Sequence, residues 1–388
     1  MRPLAKDPAS HFPHVVEIKE ALNQAYRVEG RTSPNPPVGA VVVRDGIVLG
    51  EGATSPPGGP HAERVALAQA GAEAHGASLY TTLEPCTFHG RTPPCTEAII
   101  AAGIRRVFYV ARDPDPRMGT GCEPVLRAAG IEVERLDDRS GQVADLLAPF
   151  RCRVRAGRPL VTAKYAMTLD GRIASASGDS RWISSEGARQ WVHGMRDRVD
   201  AVMVGAGTVL ADNPALTTRL DQPRRTSRHP LRVIVDSHGR APLDAQVLAG
   251  GLPGKTLVAT VDAPPAWADA LAARGVVVEY LPPDPQGRVA LPELLALLAR
   301  RGINHLMVEG GATLLGALAD AQLIDQIRVF IAPKLILGAS ALGPFGGTGI
   351  ARMADAIPFH LHRLESVDQN CVLTARVADK SWWNEEYT

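Results

Sequence analysis

Residues 61–95 bring together His61, Glu63, Cys86 and Cys95. One imidazole and two thiolates make a three-ligand set for zinc that leaves a fourth position open to water, which is how hydrolytic rather than structural sites are built. Zinc held this way brings the pKa of water down to about 7, so a nucleophile exists near neutral pH. Glu63, two residues beyond the imidazole, is then free to carry protons, first away from the water and then to a ring nitrogen and a departing amine. A closed structural site would need a fourth protein ligand, and His89 is the spare candidate in the stretch.

The elements that must hold these groups are legible around them. Residues 63–72 read as a helix with His61 and Glu63 at its positive end, where the dipole favours an ionised carboxylate. Residues 77–83 read as a strand whose end delivers Glu84-Pro85-Cys86, and Cys95 opens a helix over 96–102, where free backbone amides favour a thiolate. Upstream, apolar spacing predicts a helix over 15–30 closed by Gly30, and then strands at 40–43 and 47–50 joined through Asp45-Gly46. Between them lies a proline-bracketed turn holding Asn35, either a plain turn former or an amide set to read a nucleobase edge. A strand at 105–111, a helix ending at Gly130 and a short strand at 131–133 follow. Strands alternating with helices predict a three-layer α/β domain with a mostly parallel sheet.

At 388 residues the chain exceeds one ordinary core, and two domains are expected. The layout is a leader over 1–14, a first domain over 15–149, a linker over 150–158, a second domain over 159–379 and a tail over 380–388. Arg139, Arg151, Arg153, Arg155 and Arg158 mark the connector as a solvated, charged surface. The second half reads as another α/β sheet, with strands at 160–166, 201–204, 232–235, 256–259, 276–281, 305–308 and 327–332. Two late segments, 359–367 and 371–377, pair antiparallel. The turns Gly205-Ala206-Gly207-Thr208 and Glu309-Gly310-Gly311 each end a strand, and their glycines either form a left-handed helix entry or let amides approach a phosphate. A net charge of +1 argues against a long nucleic-acid partner but not against a single nucleotide. Five cysteines without disulfide spacing fit a reducing cytoplasm, and neither a signal peptide nor an apolar run long enough for a membrane span is seen.

Over about residues 15–377 these motifs carry a family resemblance. The His-x-Glu and Pro-Cys elements resemble the zinc deaminases. Pro34-Asn35-Pro36-Pro37-Val38-Gly39, Thr82-Leu83-Glu84-Pro85-Cys86 and Gly90-Arg91-Thr92-Pro93-Pro94-Cys95 resemble more narrowly the deaminase half of the bifunctional riboflavin-biosynthesis deaminase/reductases. The long interval from Cys86 to Cys95 separates that family from deaminases with a tight Pro-Cys-x-x-Cys. Asp170-Gly171-Arg172-Ile173-Ala174, Ser180-Arg181-Trp182-Ile183, Asp212-Asn213-Pro214-Ala215-Leu216, Val235-Asp236-Ser237 and Glu309-Gly310-Gly311 resemble its reductase half, in the same order.

The resemblance implies a cytidine-deaminase-like domain followed by a dihydrofolate-reductase-like α/β domain. It implies hydrolytic deamination of 2,5-diamino-6-(5-phosphoribosylamino)pyrimidin-4(3H)-one, then NADPH-dependent reduction of the ribosyl to the ribityl chain, in a homo-oligomer. By position, His61, Cys86 and Cys95 would hold zinc and Glu63 would shuttle protons, while Lys164 and Glu309 would handle protons during reduction. Ala166, Trp182, Thr208, Asp212, Ser237, Gly310 and Gly311 would meet NADPH. Asn35, Ser180, Arg196, Leu216, Arg219 and Glu309 would meet the substrate, with the arginines as phosphate clamps. The chain departs from the family pattern at Phe88, where His is usual, in the shortened segment 117–121, and at Leu147, where Asn is usual. The competing readings are a deaminase of a free base or nucleoside with an inactive second domain, and a zinc-stabilised scaffold, which would lack Glu63. A tRNA-editing enzyme would want a basic groove.

Overall fold

The fold is that of a computed structural model, which describes residues 2–3 and 14–383 apart from 224 and 379. The expected leader, save for 2–3 and 14, and the tail beyond 383 lie outside the described residues. The chain forms two compact units, one running up to Ala156 and including the described residues from Ser381, the other Gly157–Lys380.

Among the described residues the first unit holds a sheet in the order Arg2–Pro3, Ile47–Ala53, Gly39–Arg44, Ser78–Leu83, Arg106–Ala111, Glu132–Arg135. Only the last two pairings are parallel, so the sheet is mixed where the alternation of elements suggested a mostly parallel one. The cause is local. Asp45 and Gly46 both take positive φ, 52° and 73°, the geometry of a tight hairpin that turns the chain straight back instead of through a crossover.

Close approach then seats the helix that matters. A Cβ on Gly50 would stand 2.1 Å from the Ala66 carbonyl oxygen, and one on Gly52 would stand 2.1 Å from that of Ala62. The bare backbone of the strand therefore lets helix Ala62–Ala70 lie directly on it, which fixes His61 and Glu63 at the helix entrance.

The expected linker is mostly helix. Gln142–Ala156 is continuous through residues 150–156, and Arg151 on it is 1% exposed, contrary to a solvated connector. Helical periodicity is the reason: Val143, Leu147, Phe150 and Arg151 share a buried face while Arg155 stays exposed. Leu147, the third departure from the family pattern, is core. Arg155 Nη1 donates to the Ser381 carbonyl at 2.6 Å, and Trp382 and Trp383 are buried.

In the second unit the described strands run Val277–Tyr280, Thr256–Thr260, Leu231–Val235, Ala201–Gly205, His305–Val308, Leu160–Thr168, Gln326–Ala332, Asn370–Val377, Phe359–Val367. Every pairing up to Gln326–Ala332 is parallel, and the last two are antiparallel. Alternate residues of one strand serve opposite faces: Val202 and Val204 join one core, Ala201 and Met203 the other. A sheet covered on both sides explains why its strands read as unbroken apolar runs. Strand His305–Val308 lies between Leu160–Thr168 and Ala201–Gly205, which precede it in the chain, so the carboxyl ends of these strands flank a topological switch where α/β sheets bind ligands.

Candidate functional site

In the first unit His61 is the N-cap of helix Ala62–Ala70 and Cys95 the first residue of helix Cys95–Ala101. His61 Nδ1 stands 3.5 Å from Cys86 Sγ and 3.4 Å from Cys95 Sγ, and all three donor atoms lie within 4.8 Å of one another. Nitrogen and sulfur ligands at about 2.1 and 2.3 Å from a tetrahedral zinc ion are about 3.6 Å apart, so the donor set fits that ion. Among the described residues the cluster has these three members. His89 stands apart, exposed, with Nε2 3.9 Å from Glu97. His61 Nε2 lies 3.4 Å from Thr92 Oγ1, which leaves Nδ1 to the sulfurs and holds the ring in place.

The electrostatics suit a ligand set. Hydrogen bonding with the Cys95 thiol, then with His61 and the Cys95 backbone N–H at 3.2 Å, outweighs burial and pulls the Cys86 thiol down to about 4. Glu63 is 4% exposed. Burial first, and then the neighbouring Cys86 thiolate, push its carboxyl up to about 7, against a smaller opposing pull from His61.

Glu84, two residues before Cys86, ties this site together. Its Oε1 accepts the Cys122 N–H at 2.7 Å and its Oε2 the Asp113 N–H at 3.3 Å. Gly121, at φ +84°, is what lets it reach, because a Cβ there would stand 2.5 Å from Oε1. Phe88 and Met118 pack with the two ligand cysteines as an apolar wall, and the Arg117 guanidinium lies 4.1 Å over the Phe88 ring. Two of the departures from the family pattern thus meet at this wall. Asn35 sits in a turn whose N–H donates to the Thr32 carbonyl and whose carbonyl accepts Thr32 Oγ1, each at 2.9 Å.

In the second unit a cavity of about 760 Å³ runs along the carboxyl ends of the parallel strands. Lys164 and Ala166 reach it from Leu160–Thr168, and Thr208 and Asp212 from helix Ala206–Asp212, which opens at the glycine turn. Glu309, Gly310 and Gly311 line it beyond His305–Val308, and Ser180 and Ser237 complete the set. The glycine turn needs glycine. Gly310 has φ +123°, its carbonyl accepts the Gly205 N–H at 3.2 Å, and a Cβ on Gly311 would stand 3.2 Å from Thr208 Oγ1.

Trp182, Arg196, Leu216 and Arg219 are not among the residues that line the cavity. Trp182 is 63% exposed beneath the Arg189 guanidinium, 4.5 Å from its ring, and its carbonyl accepts Lys334 Nζ at 2.6 Å. Leu216 is buried at φ 51°, and the exposed Arg219 turns back onto Thr217 Oγ1 at 3.0 Å.

Arg196 has a place that differs from a phosphate clamp. Its Nε and Nη2 donate to the two Glu309 oxygens at 2.6 and 2.8 Å, and its Nη1 donates to the Thr217 carbonyl at 2.9 Å. Despite burial, Arg196 and then Lys164 hold the Glu309 carboxyl down to about 2. A carboxyl that ionises there has no proton to give at neutral pH. Burial lowers the Lys164 pKa and Glu309 opposes that drop.

Comparison with known proteins gives two family models. The cytidine and deoxycytidylate deaminase zinc-binding region matches residues 16–111, and the RibD C-terminal domain matches 159–373. A riboflavin biosynthesis protein RibD of Bacillus amyloliquefaciens is 40% identical over 358 residues, covering 92% of this chain and 95% of its own. Its counterpart in Escherichia coli (strain K12) is 39% identical over 366 residues, covering 92% and 97%. The structure of Acinetobacter baumannii RibD, form 1, superposes with a TM-score of 0.83 at 37% identity, covering 94% of this chain and 98% of that one.

Proposed function

This chain belongs to the family of bifunctional riboflavin-biosynthesis deaminase/reductases, and from that premise we propose how its residues divide the two reactions. It deaminates a pyrimidine intermediate of the riboflavin pathway and reduces it to the ribityl form. The metal of the first unit is zinc, held by His61 Nδ1 and the Cys86 and Cys95 thiolates, and it supplies the Lewis acidity that makes water a nucleophile near neutral pH. Glu63 takes a proton from the attacking water and delivers protons to the ring nitrogen and the departing ammonia. Thr92 keeps the His61 ring oriented, and Glu84 holds the loops at 113 and 122 around the pocket. Asn35 reads the pyrimidine edge, and the Phe88 wall faces the ring in place of a polar group.

In the second unit bound NADPH would supply the hydride that reduces the anomeric carbon of the sugar. The bond from that carbon to the ring oxygen breaks, and the oxygen takes a proton from the Lys164 ammonium. Glu309 stays ionised throughout, accepts hydrogen bonds from the sugar and holds Lys164 and Arg196 in register. Ala166, Thr208, Asp212, Ser237 and the Gly310-Gly311 turn cradle the dinucleotide, with Trp182 at its nicotinamide end. Ser180 contacts the substrate within the cavity, Leu216 and Arg219 meet the part of it that extends beyond the lining, and Arg196 acts through Glu309.

The setting is a cytoplasmic homo-oligomer. No helix among the described residues is long and apolar enough to cross a membrane, and the five cysteines form no disulfide. The observation that carries the reading is the open three-ligand cluster with a buried, unligated glutamate beside it. Glu63→Gln tests it: zinc content is retained and ammonia release is abolished, while NADPH oxidation with already deaminated substrate continues. Unimpaired ammonia release would refute the role of Glu63.

A further inference from the structure

The cavity of the second unit has a chemically distinct far end. Lys164 and Glu309 mark one end, on Leu160–Thr168 and just beyond His305–Val308. Three strand steps away, about 14 Å at the usual spacing, the segment after Leu231–Val235 supplies Ser237, His238 and Arg240 to the lining, and a neighbouring loop supplies Arg288.

The charges there are unevenly matched. Arg288 stands 3.6 Å from Asp284, whose Oδ1 also accepts the Gln286 and Arg288 N–H groups at 2.9 and 2.8 Å. His238 Nδ1 lies 2.6 Å from Asp262 Oδ1, which leaves its Nε2 free to face a ligand. Arg240 is exposed and has no hydrogen-bond or ion-pair partner among the described residues. The one acid on the preceding strand end, Asp236, is fully buried and turned inward, its Oδ2 accepting the Ala241 N–H at 2.7 Å. A site that takes the unphosphorylated dinucleotide presents an acid to the ribose 2'-hydroxyl, whereas one that takes the phosphorylated form presents an arginine. This end presents Arg240 unpaired, buries Asp236, and holds its lining acid, Asp284, in the ion pair with Arg288.

We propose that Arg240, supported by Arg288 and His238 Nε2, seats the 2'-phosphate of the dinucleotide and selects the phosphorylated form over the unphosphorylated one. The assignment rests on the dinucleotide reading given under the proposed function. Guanidinium groups suit a phosphate dianion because they offer paired donors in a plane. The nicotinamide then lies towards Lys164 and the pyrophosphate crosses the glycine turns between the two ends.

Calorimetric titration of the full-length protein with NADPH, NADH and adenosine 2',5'-bisphosphate tests the assignment. Arg240→Ala weakens NADPH and the bisphosphate by roughly 10- to 100-fold, the loss of one charge-assisted contact, and leaves NADH affinity where it was. Arg240→Lys restores part of the loss because the charge remains. Equal weakening of both dinucleotides by Arg240→Ala overturns the seat, as does NADPH affinity unchanged in both Arg240→Ala and Arg288→Ala. A wild-type protein that binds NADPH and NADH alike overturns it as well. A wild-type protein that binds neither overturns the dinucleotide reading beneath it, and the first titration reports that outcome separately.

Discussion

Replacing Glu309 by Gln takes a negative charge from between two buried cations. The wild-type carboxylate makes two short charge-assisted bonds to Arg196, at 2.6 and 2.8 Å, with the two side chains 10% and 9% exposed. Breaking a buried pair from one side costs about 3–5 kcal/mol, because the remaining charge is left uncompensated. Glutamine keeps the shape and one acceptor, so a loss near the lower end, about 3 kcal/mol, is expected in chemical denaturation. The second effect is on Lys164, whose pKa burial lowers and Glu309 raises. With Glu309 neutral, that pKa falls further. Under the proposed mechanism the protonated Lys164 is the active form, present below its pKa and lost as pH rises through it, so the alkaline limb of the reduction profile moves to lower pH. NADPH oxidation followed across the neutral and alkaline range, with ammonia release measured on the same preparation, reads both effects. A limb that stays put or moves upward, or ammonia release that falls in step with reduction, would sink this account of Glu309.

Cys95→Ser removes a soft ligand, so zinc content and ammonia release fall together while deaminated substrate still supports NADPH oxidation; loss of both activities would contradict separate sites. Gly121→Ala places a Cβ at φ +84° and 2.5 Å from Glu84 Oε1. Backbone strain of about 1–2 kcal/mol and a disturbed Glu84 to Cys122 hydrogen bond of about 1 kcal/mol should lower unfolding free energy by about 2–3 kcal/mol. Asp325 is fully buried, is bonded to Arg158 at 2.7 and 2.8 Å and accepts the Val161 N–H at 2.8 Å. Asp325→Ala should cost about 3–5 kcal/mol in denaturant titration, and a change below 1 kcal/mol would count against its structural weight.

The metal cluster could be read from sequence because its ligands sit at element boundaries that local signals mark, a helix entrance for His61 and a strand end for Cys86. The second-unit strands were legible for a related reason: burial on both faces leaves long apolar runs. What depends on distant pairing was not legible. Nothing near Arg196 announces a partner 113 positions away, and the family resemblance that implies a phosphate role carries no sign of the Glu309 contact. Thr92 stands in the sequence only as a member of the motif between the two cysteines, and it is the fold that brings its hydroxyl against His61 Nε2. Arg151 was misplaced because charge was weighed ahead of periodicity: the 3.6-residue repeat that buries Leu147 also buries the arginine four positions on. The glycines at 205 and 207 mark a helix entry without its extent: Gly205 is the N-cap of helix Ala206–Asp212 and Gly207 lies inside it, where glycine weakens the helical signal.

The position of His305–Val308 has a consequence for how this polypeptide is made. Leu160–Thr168 and Ala201–Gly205 emerge from the ribosome early, yet neither can hydrogen-bond to the other, because the ladder between them waits for a segment synthesised more than a hundred positions later. Until it arrives, both nascent strands keep an open edge, the state most prone to adventitious association. A message cut short before codon 305 would therefore yield not a weakened reductase but a chain whose strand Leu160–Thr168 has lost its neighbours on both sides.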